Sequence, residues 1–161
     1  MEEIRIIEVK QSVFEDNHAD ANRLRKQLKE EKTFLLNVMA SPGAGKTTLL
    51  RAISAQLGES LTFAVMEADI DSDVDAKAMR QIGVDAIQIH TGGMCHLDAD
   101  MTRQGLNTLR SEAYDLVILE NVGNLVCPAE FDTGAVKNMT ILSVPEGHDK
   151  PLKYPLMYET C

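Results

Sequence analysis

Ser41-Pro42-Gly43-Ala44-Gly45-Lys46-Thr47-Thr48 is entered from the apolar run Phe34-Leu35-Leu36-Asn37-Val38-Met39 and left through Leu49-Leu50-Arg51-Ala52-Ile53. A buried strand, a glycine-rich turn and a helix start, in that order, make a phosphate-binding loop. Its glycines let the backbone curl with N–H groups facing a polyphosphate, and the following helix adds the positive end of its dipole. Pro42, Gly43, Ala44, Gly45, Lys46, Thr47 and Thr48 are therefore the candidate nucleotide-binding residues. Lys46 would reach the β- and γ-phosphates and Thr47 would ligate Mg²⁺. One position departs from the usual pattern: Ala40 stands where such loops begin with glycine.

Short apolar runs recur outward from this loop, at residues 34–39, 61–66, 86–89, 116–119 and 139–144. Stretches of helical character lie between them at residues 47–57, 73–82 and 98–109. Strand alternating with helix predicts an α/β fold: a parallel sheet covered on both faces, with ligands at the carboxyl ends of the strands. Upstream, residues 4–9 read as a short strand, and residues 14–31 as a charged surface helix with Leu24 and Leu28 on one face. A chain of 161 residues makes one such domain, with residues 1–32 as a strand and helix packed on it.

The net charge is −9 and lysine and arginine are not clustered, which argues against a nucleic-acid partner. Met1-Glu2-Glu3-Ile4-Arg5 lacks the features of a signal peptide, and no apolar run approaches the ~20 residues of a membrane span. A cytoplasmic protein without a membrane partner is expected. Three cysteines, an odd number in a reducing compartment, argue against a disulfide framework.

Two acidic stretches follow strands. Glu67-Ala68-Asp69-Ile70-Asp71-Ser72-Asp73-Val74-Asp75 places five acids in nine positions before a helix. Asp71, Asp73 and Asp75 suit an ordinary solvated helix start. Asp69, directly after a strand parallel to that of the phosphate loop, can hold Mg²⁺ through water, and Asp75 is carried with it as a magnesium candidate. Leu116-Val117-Ile118-Leu119-Glu120 is an apolar strand closing on an acid, which would place Glu120 beside the same ion. Gly123, three residues on, could bring a backbone N–H to the γ-phosphate. Lys46, Glu120 and Gly123 are thus the candidate catalytic residues. No glutamine stands where it would orient an attacking water, so slow hydrolysis is expected.

Cys95-His96 follows one strand, and Cys127-Pro128 follows the strand ending at Glu120. Thiolate and imidazole suit Zn²⁺, Ni²⁺ or Cu⁺, and three ligands would leave a position open for exchange or a bridging subunit. By spacing alone the metal signal is weak, and a buried cysteine with a hydrogen-bonded histidine is the favoured reading of these residues.

The assembled pieces resemble the HypB family, GTPases that assist nickel insertion during [NiFe]-hydrogenase maturation. The most specific are the phosphate loop, Thr91-Gly92-Gly93-Met94-Cys95-His96-Leu97-Asp98-Ala99, Glu120-Asn121-Val122-Gly123-Asn124-Leu125-Val126-Cys127-Pro128 and Ser143-Val144-Pro145-Glu146-Gly147-His148-Asp149-Lys150-Pro151-Leu152-Lys153-Tyr154-Pro155. The resemblance implies a three-layer P-loop NTPase fold of the SIMIBI class. It implies GTP or GDP with Mg²⁺ as ligands, and a Zn²⁺ or Ni²⁺ site at Cys95, His96 and Cys127 near a nucleotide-dependent homodimer interface. It also implies a contact role for Lys153, and a nickel metallochaperone and the hydrogenase large subunit as partners. The urease-maturation GTPases share the loop but carry Cys-Pro-His, which differs from the separated pairs here. The family's guanine-reading Asn-Lys-x-Asp does not occur before the chain stops at Cys161, so a C-terminally truncated domain lacking its last strands is expected. A metal-binding and dimerisation module without turnover is the alternative. An adenine-nucleotide kinase is disfavoured, for want of an arginine-rich lid.

Overall fold

The computed structural model describes residues 4–9, 16–69 and 74–161, without the side chain of Asp75. The expectations for Asp71, Asp73 and the Asp75 carboxylate therefore lie outside the described residues. The strands are β1 Arg5–Glu8, β2 Phe34–Ala40, β3 Phe63–Asp69, β4 Asp85–His90, β5 Leu116–Glu120 and β6 Lys137–Ile141. The longer helices are α1 Asn17–Glu31, α2 Lys46–Leu57, α3 Val74–Gln81 and α4 Ala99–Leu109; short helices follow as α5 Cys127–Glu130, α6 Lys150–Lys153 and α7 Pro155–Glu159.

All the described strands pair in parallel, in the order β1-β4-β3-β5-β2-β6. Because side chains alternate along each strand, the sheet buries two separate apolar faces. Met66, Ile87, Val117 and Leu119 meet Leu24 and Leu28 of α1 and Met101 and Leu106 of α4 on one side. Val38, Val65, Ala86 and Ile118 meet Leu50 of α2 and Ala76 and Met79 of α3 on the other. This is the three-layer architecture expected from the sequence. Since β5 lies between β2 and β3, the chain leaves β2 in one direction through α2 and returns to β5 through α4 on the opposite face. Such a reversal opens a crevice at the carboxyl ends of β2, β3 and β5, where the phosphate loop sits.

Helix boundaries follow their caps. Asp16 accepts from Ala19 N at 3.0 Å to start α1, and Asp98 accepts from Met101 N at 2.8 Å to start α4. Strand ends differ from the sequence reading by more than one residue in β3 and β6. Strand β3 starts and ends later than residues 61–66 and carries Glu67 and Asp69, because Glu67 pairs with Gln88 and Asp69 with His90. Strand β6 starts and ends earlier than residues 139–144: pairing with β2 stops at Ile141, and the Ser143–Glu146 capping box then turns the chain into a 3-10 turn. Asp69 and Glu120 are accordingly last residues of strands.

Candidate functional site

The loop after β2 opens onto a cavity of about 530 Å³. Pro42, Gly43, Gly45, Lys46, Thr47 and Thr48 line it, joined by Asp69, Glu120 and Gly123. Gly43 (φ 76°) and Gly45 (φ 100°) hold left-handed backbone conformations, which only glycine adopts without strain. Gly45 caps α2 without a side chain, and Lys46, Thr47 and Thr48 of the first turn line the cavity. Ala44 does not line it; buried beneath the loop, it donates its N–H to Ser41 O at 3.2 Å. The Lys46 Nζ lies 3.7 Å from Glu120 Oε1, both side chains largely enclosed. Gly123 rides on the loop itself: a Cβ there would stand 3.3 Å from Pro42 Cγ and 3.6 Å from Lys46 Nζ.

Beneath the loop the sheet carries a polar row. Gln88, Glu67 and Glu120 lie in lateral register across β4, β3 and β5, all nearly fully buried, and all line the cavity. Gln88 Nε2 donates to Glu67 O at 2.8 Å, while its Oε1 has no hydrogen-bond partner. Neither Glu67 nor Gln88 was singled out from sequence, although an acid inside an apolar run is a readable signal. The loop is also tied at its entrance, where the Ser41 hydroxyl contacts Glu146. Glu146 also accepts from Ser143 N at 2.7 Å and Ser143 Oγ at 2.6 Å. Burial opposes ionisation of Glu146, but these hydroxyl and amide donors hold its carboxyl below the ordinary range.

The two cysteine loops converge. Cys95 and Cys127 have Cα atoms 6.0 Å apart and their sulfurs are paired as a disulfide. This corrects the expectation that the thiols stay unbonded: the loops after β4 and β5 are brought together by the sheet, which residue counts along the chain do not show. His96 is enclosed with its ring stacked on Phe131, centroids 3.5 Å apart and planes 9° from parallel. Its Nδ1 lies 3.9 Å from Cys95 Sγ, and its Nε2 is buried without a hydrogen-bond partner. Burial pushes the imidazole below its ordinary range, against the nearby Asp98 and Glu130 carboxylates, so it is held neutral and available as a ligand. Among the described residues no three such ligands surround one point. Two sulfurs, once reduced, and an adjacent neutral imidazole fit a soft or borderline cation whose remaining positions come from elsewhere. Phe131, which holds the imidazole, carried no sequence signal.

Lys153 stands apart from both centres. It is exposed on α6, paired with Asp149 at 2.6 Å, and does not line the phosphate cavity.

Comparison with known proteins agrees with this geometry. The CobW/HypB/UreG nucleotide-binding domain family matches residues 34–144. A hydrogenase maturation factor HypB of Rhizobium leguminosarum bv. viciae is 44% identical over 158 residues, covering 98% of this chain and 53% of that protein. A hydrogenase/urease maturation factor HypB of Helicobacter hepaticus is 43% identical over 156 residues, covering 94% of this chain and 64% of that protein. The chain thus spans about half to two thirds of the length of these relatives. The crystal structure of HypB from Helicobacter pylori in complex with nickel superposes with a TM-score of 0.85 at 41% identity, covering 91% of this chain and 69% of that one. A strand-to-helix phosphate loop on an all-parallel sheet and relatives whose match covers almost all of this chain lead to one conclusion: the chain belongs to the CobW/HypB/UreG family of nucleotide-binding domains, and within it to HypB.

Proposed function

We propose that this chain is the nucleotide-switching domain, residues 1–161, of a HypB-type GTPase that assists nickel insertion into a metalloenzyme. In this reading GTP binds with Mg²⁺ against residues 42–48, with Lys46 on the β- and γ-phosphates. Thr47, Asp69 and Glu120, with Asp75 from the segment after β3, surround the magnesium. The Gly123 N–H senses the γ-phosphate, and hydrolysis is slow because the sequence carries no glutamine where it would orient the water. Reduced Cys95 and Cys127, with His96, take up Zn²⁺ or Ni²⁺. A homodimer formed in response to nucleotide completes that site, with Lys153 at the dimer contact. The protein works in the cytoplasm, with a nickel metallochaperone and a hydrogenase large subunit as partners. Among the described residues no helix is long and apolar enough to cross a membrane.

The observation that carries this reading is one stretch of eight residues, Glu120 to Cys127, which begins in the phosphate cavity and ends at the cysteine pair. The printed names of the relatives, maturation factors for hydrogenase and for hydrogenase and urease, favour nickel as cargo and leave urease as a second recipient. In the reduced chain Cys95→Ala or Cys127→Ala should weaken Zn²⁺ and Ni²⁺ binding at least about tenfold while Mg²⁺-nucleotide still binds. Unchanged metal affinity in both variants would overturn the site. Phosphate release from GTP, measured with and without an added C-terminal segment carrying Asn-Lys-x-Asp, tests the enzyme; no release from either form would leave a metal-binding module without turnover.

A further inference from the structure

Resting on the reading that Cys95 and Cys127 hold a metal, we infer that Asn124 is the positioning residue that couples that metal to the phosphate loop. Its side chain touches the backbone of both cysteines. Asn124 Nδ2 donates to Cys95 O at 2.7 Å, and Asn124 Oδ1 accepts from Cys127 N at 2.9 Å and from Val126 N at 3.1 Å. One planar amide therefore joins two loops whose cysteines are 32 residues apart in the chain. Its own N–H donates to Val122 O at 2.9 Å, which closes the turn it sits on.

The other end of the coupling is the preceding residue. Gly123 faces Pro42 and Lys46 so closely that an added Cβ would stand 3.3 Å from Pro42 Cγ and 3.6 Å from Lys46 Nζ. A shift of Gly123 that makes room for, or closes on, a γ-phosphate necessarily moves the Asn124 Cα. Through its hydrogen bonds to Cys95 O and from Cys127 N it moves the backbone at both cysteines as well. Metal–ligand distances tolerate only about 0.2 Å, so a small displacement at Asn124 becomes a change in metal affinity. By linkage, metal bound at the cysteines must bias the Gly123 position to the same extent.

The residue type is specific to the task. Donation to Cys95 O and acceptance from Cys127 N require an amide at this reach. Aspartate keeps the two acceptor bonds, and with them the turn into α5, but loses the donor and sets a carboxylate oxygen against the Cys95 carbonyl. Asn124→Asp therefore cuts the link between the loops while leaving the Cys127 side formed.

The test uses the full reduced chain, with Zn²⁺ as the probe. Zn²⁺ affinity is measured by chelator competition in the presence of Mg²⁺-GDP and of Mg²⁺ with a non-hydrolysable GTP analogue. In the wild type the two affinities should differ at least fivefold, within the usual range of allosteric coupling. Asn124→Asp and Asn124→Ala should lower Zn²⁺ affinity about 10- to 100-fold, as loss of a residue that orients ligands does, and should bring the ratio between nucleotides to within twofold of one. Nucleotide affinity without zinc should stay within about threefold of wild type, which shows that the phosphate loop is still folded. A wild-type ratio retained in both variants, or no ratio in the wild type, overturns the inference. So does loss of zinc-free nucleotide binding, which would make Asn124 a structural clamp of the phosphate loop. Cys127→Ala separates the two levels: if it binds Zn²⁺ as tightly as the wild type, the metal reading itself falls.

Discussion

Asp20 shows what a single enclosed carboxylate contributes. It sits on α1 with its side chain nearly buried, bonded to Arg103 of α4 at 2.6 Å and to Arg23 at 3.0 Å. The Arg103 guanidinium holds its carboxyl below the ordinary aspartate value of 3.8, against the opposing effect of burial and with help from Arg23. A depressed carboxylate pKa contributes stability that is fully present above the unfolded value and is lost as pH falls through the folded one. Asp20→Asn should therefore cost about 2 kcal/mol in urea unfolding at pH 7, where it removes the enclosed charge that pairs with Arg103 and leaves that guanidinium with Asp100. The deficit should begin to shrink as pH falls below 3.8, where the unfolded chain's carboxylate protonates, and vanish as the folded group protonates at lower pH. Gly45 is the second case at this scale. With φ at 100°, Gly45→Ala should cost about 1–2 kcal/mol in backbone strain and weaken nucleotide binding measured by calorimetry, although no atom stands within 4 Å of the added Cβ.

At the scale of elements, α1 is not a loose appendage. Leu24 and Leu28 are fully enclosed in the core that α4 and the sheet complete. Arg25 on the same helix makes a two-pronged contact with Asp132, at 2.8 and 2.7 Å, just beyond α5. Leu28→Ala should lower unfolding free energy by about 2–5 kcal/mol, the usual cost of emptying a core leucine site. Val144→Ala, at a position 95% exposed, should change it by less than about 0.5 kcal/mol. Both are read from denaturant midpoints. The existence of α1, α2, α3 and α4 was legible from the Leu24/Leu28 spacing and from the stretches of helical character between the apolar runs, because these signals are local. The ends of β3 and β6 were not. Glu67 and Asp69 look like loop residues in sequence, and backbone pairing with β4 keeps them in the strand.

For the whole molecule, nucleotide binding and stability are one equilibrium. A ligand at 100 times its dissociation constant adds about 2.7 kcal/mol to the folded state. For a domain of this size that is about 5–10 °C in Tm. Mg²⁺-GDP should raise the melting temperature by this amount in calorimetry, and Lys46→Ala, which removes the cation beside Glu120, should abolish most of the rise. Polar contacts also cross the sheet beside the site. Asn121 Nδ2 donates to Asn37 Oδ1 at 3.1 Å, and Asn37 Nδ2 to Asn138 Oδ1 at 3.0 Å. These contacts tie the loop after β5 to β2 and β6. In sequence they are three unremarkable asparagines.

The sequence by itself determined the phosphate loop, the parallel α/β fold and the pairs Cys95-His96 and Cys127-Pro128 as candidates, since each depends on residue types within a few positions of one another. Tertiary structure alone decided that Glu67 and Gln88 join Glu120 in the cavity at the phosphate loop, that Cys95 meets Cys127 with His96 against Phe131, and that Asn124 spans both cysteine loops. The physical reason is strand order. With β5 inserted between β2 and β3, and β4 beside β3, segments far apart in the chain come into lateral register, and their contacts have no counterpart in local spacing.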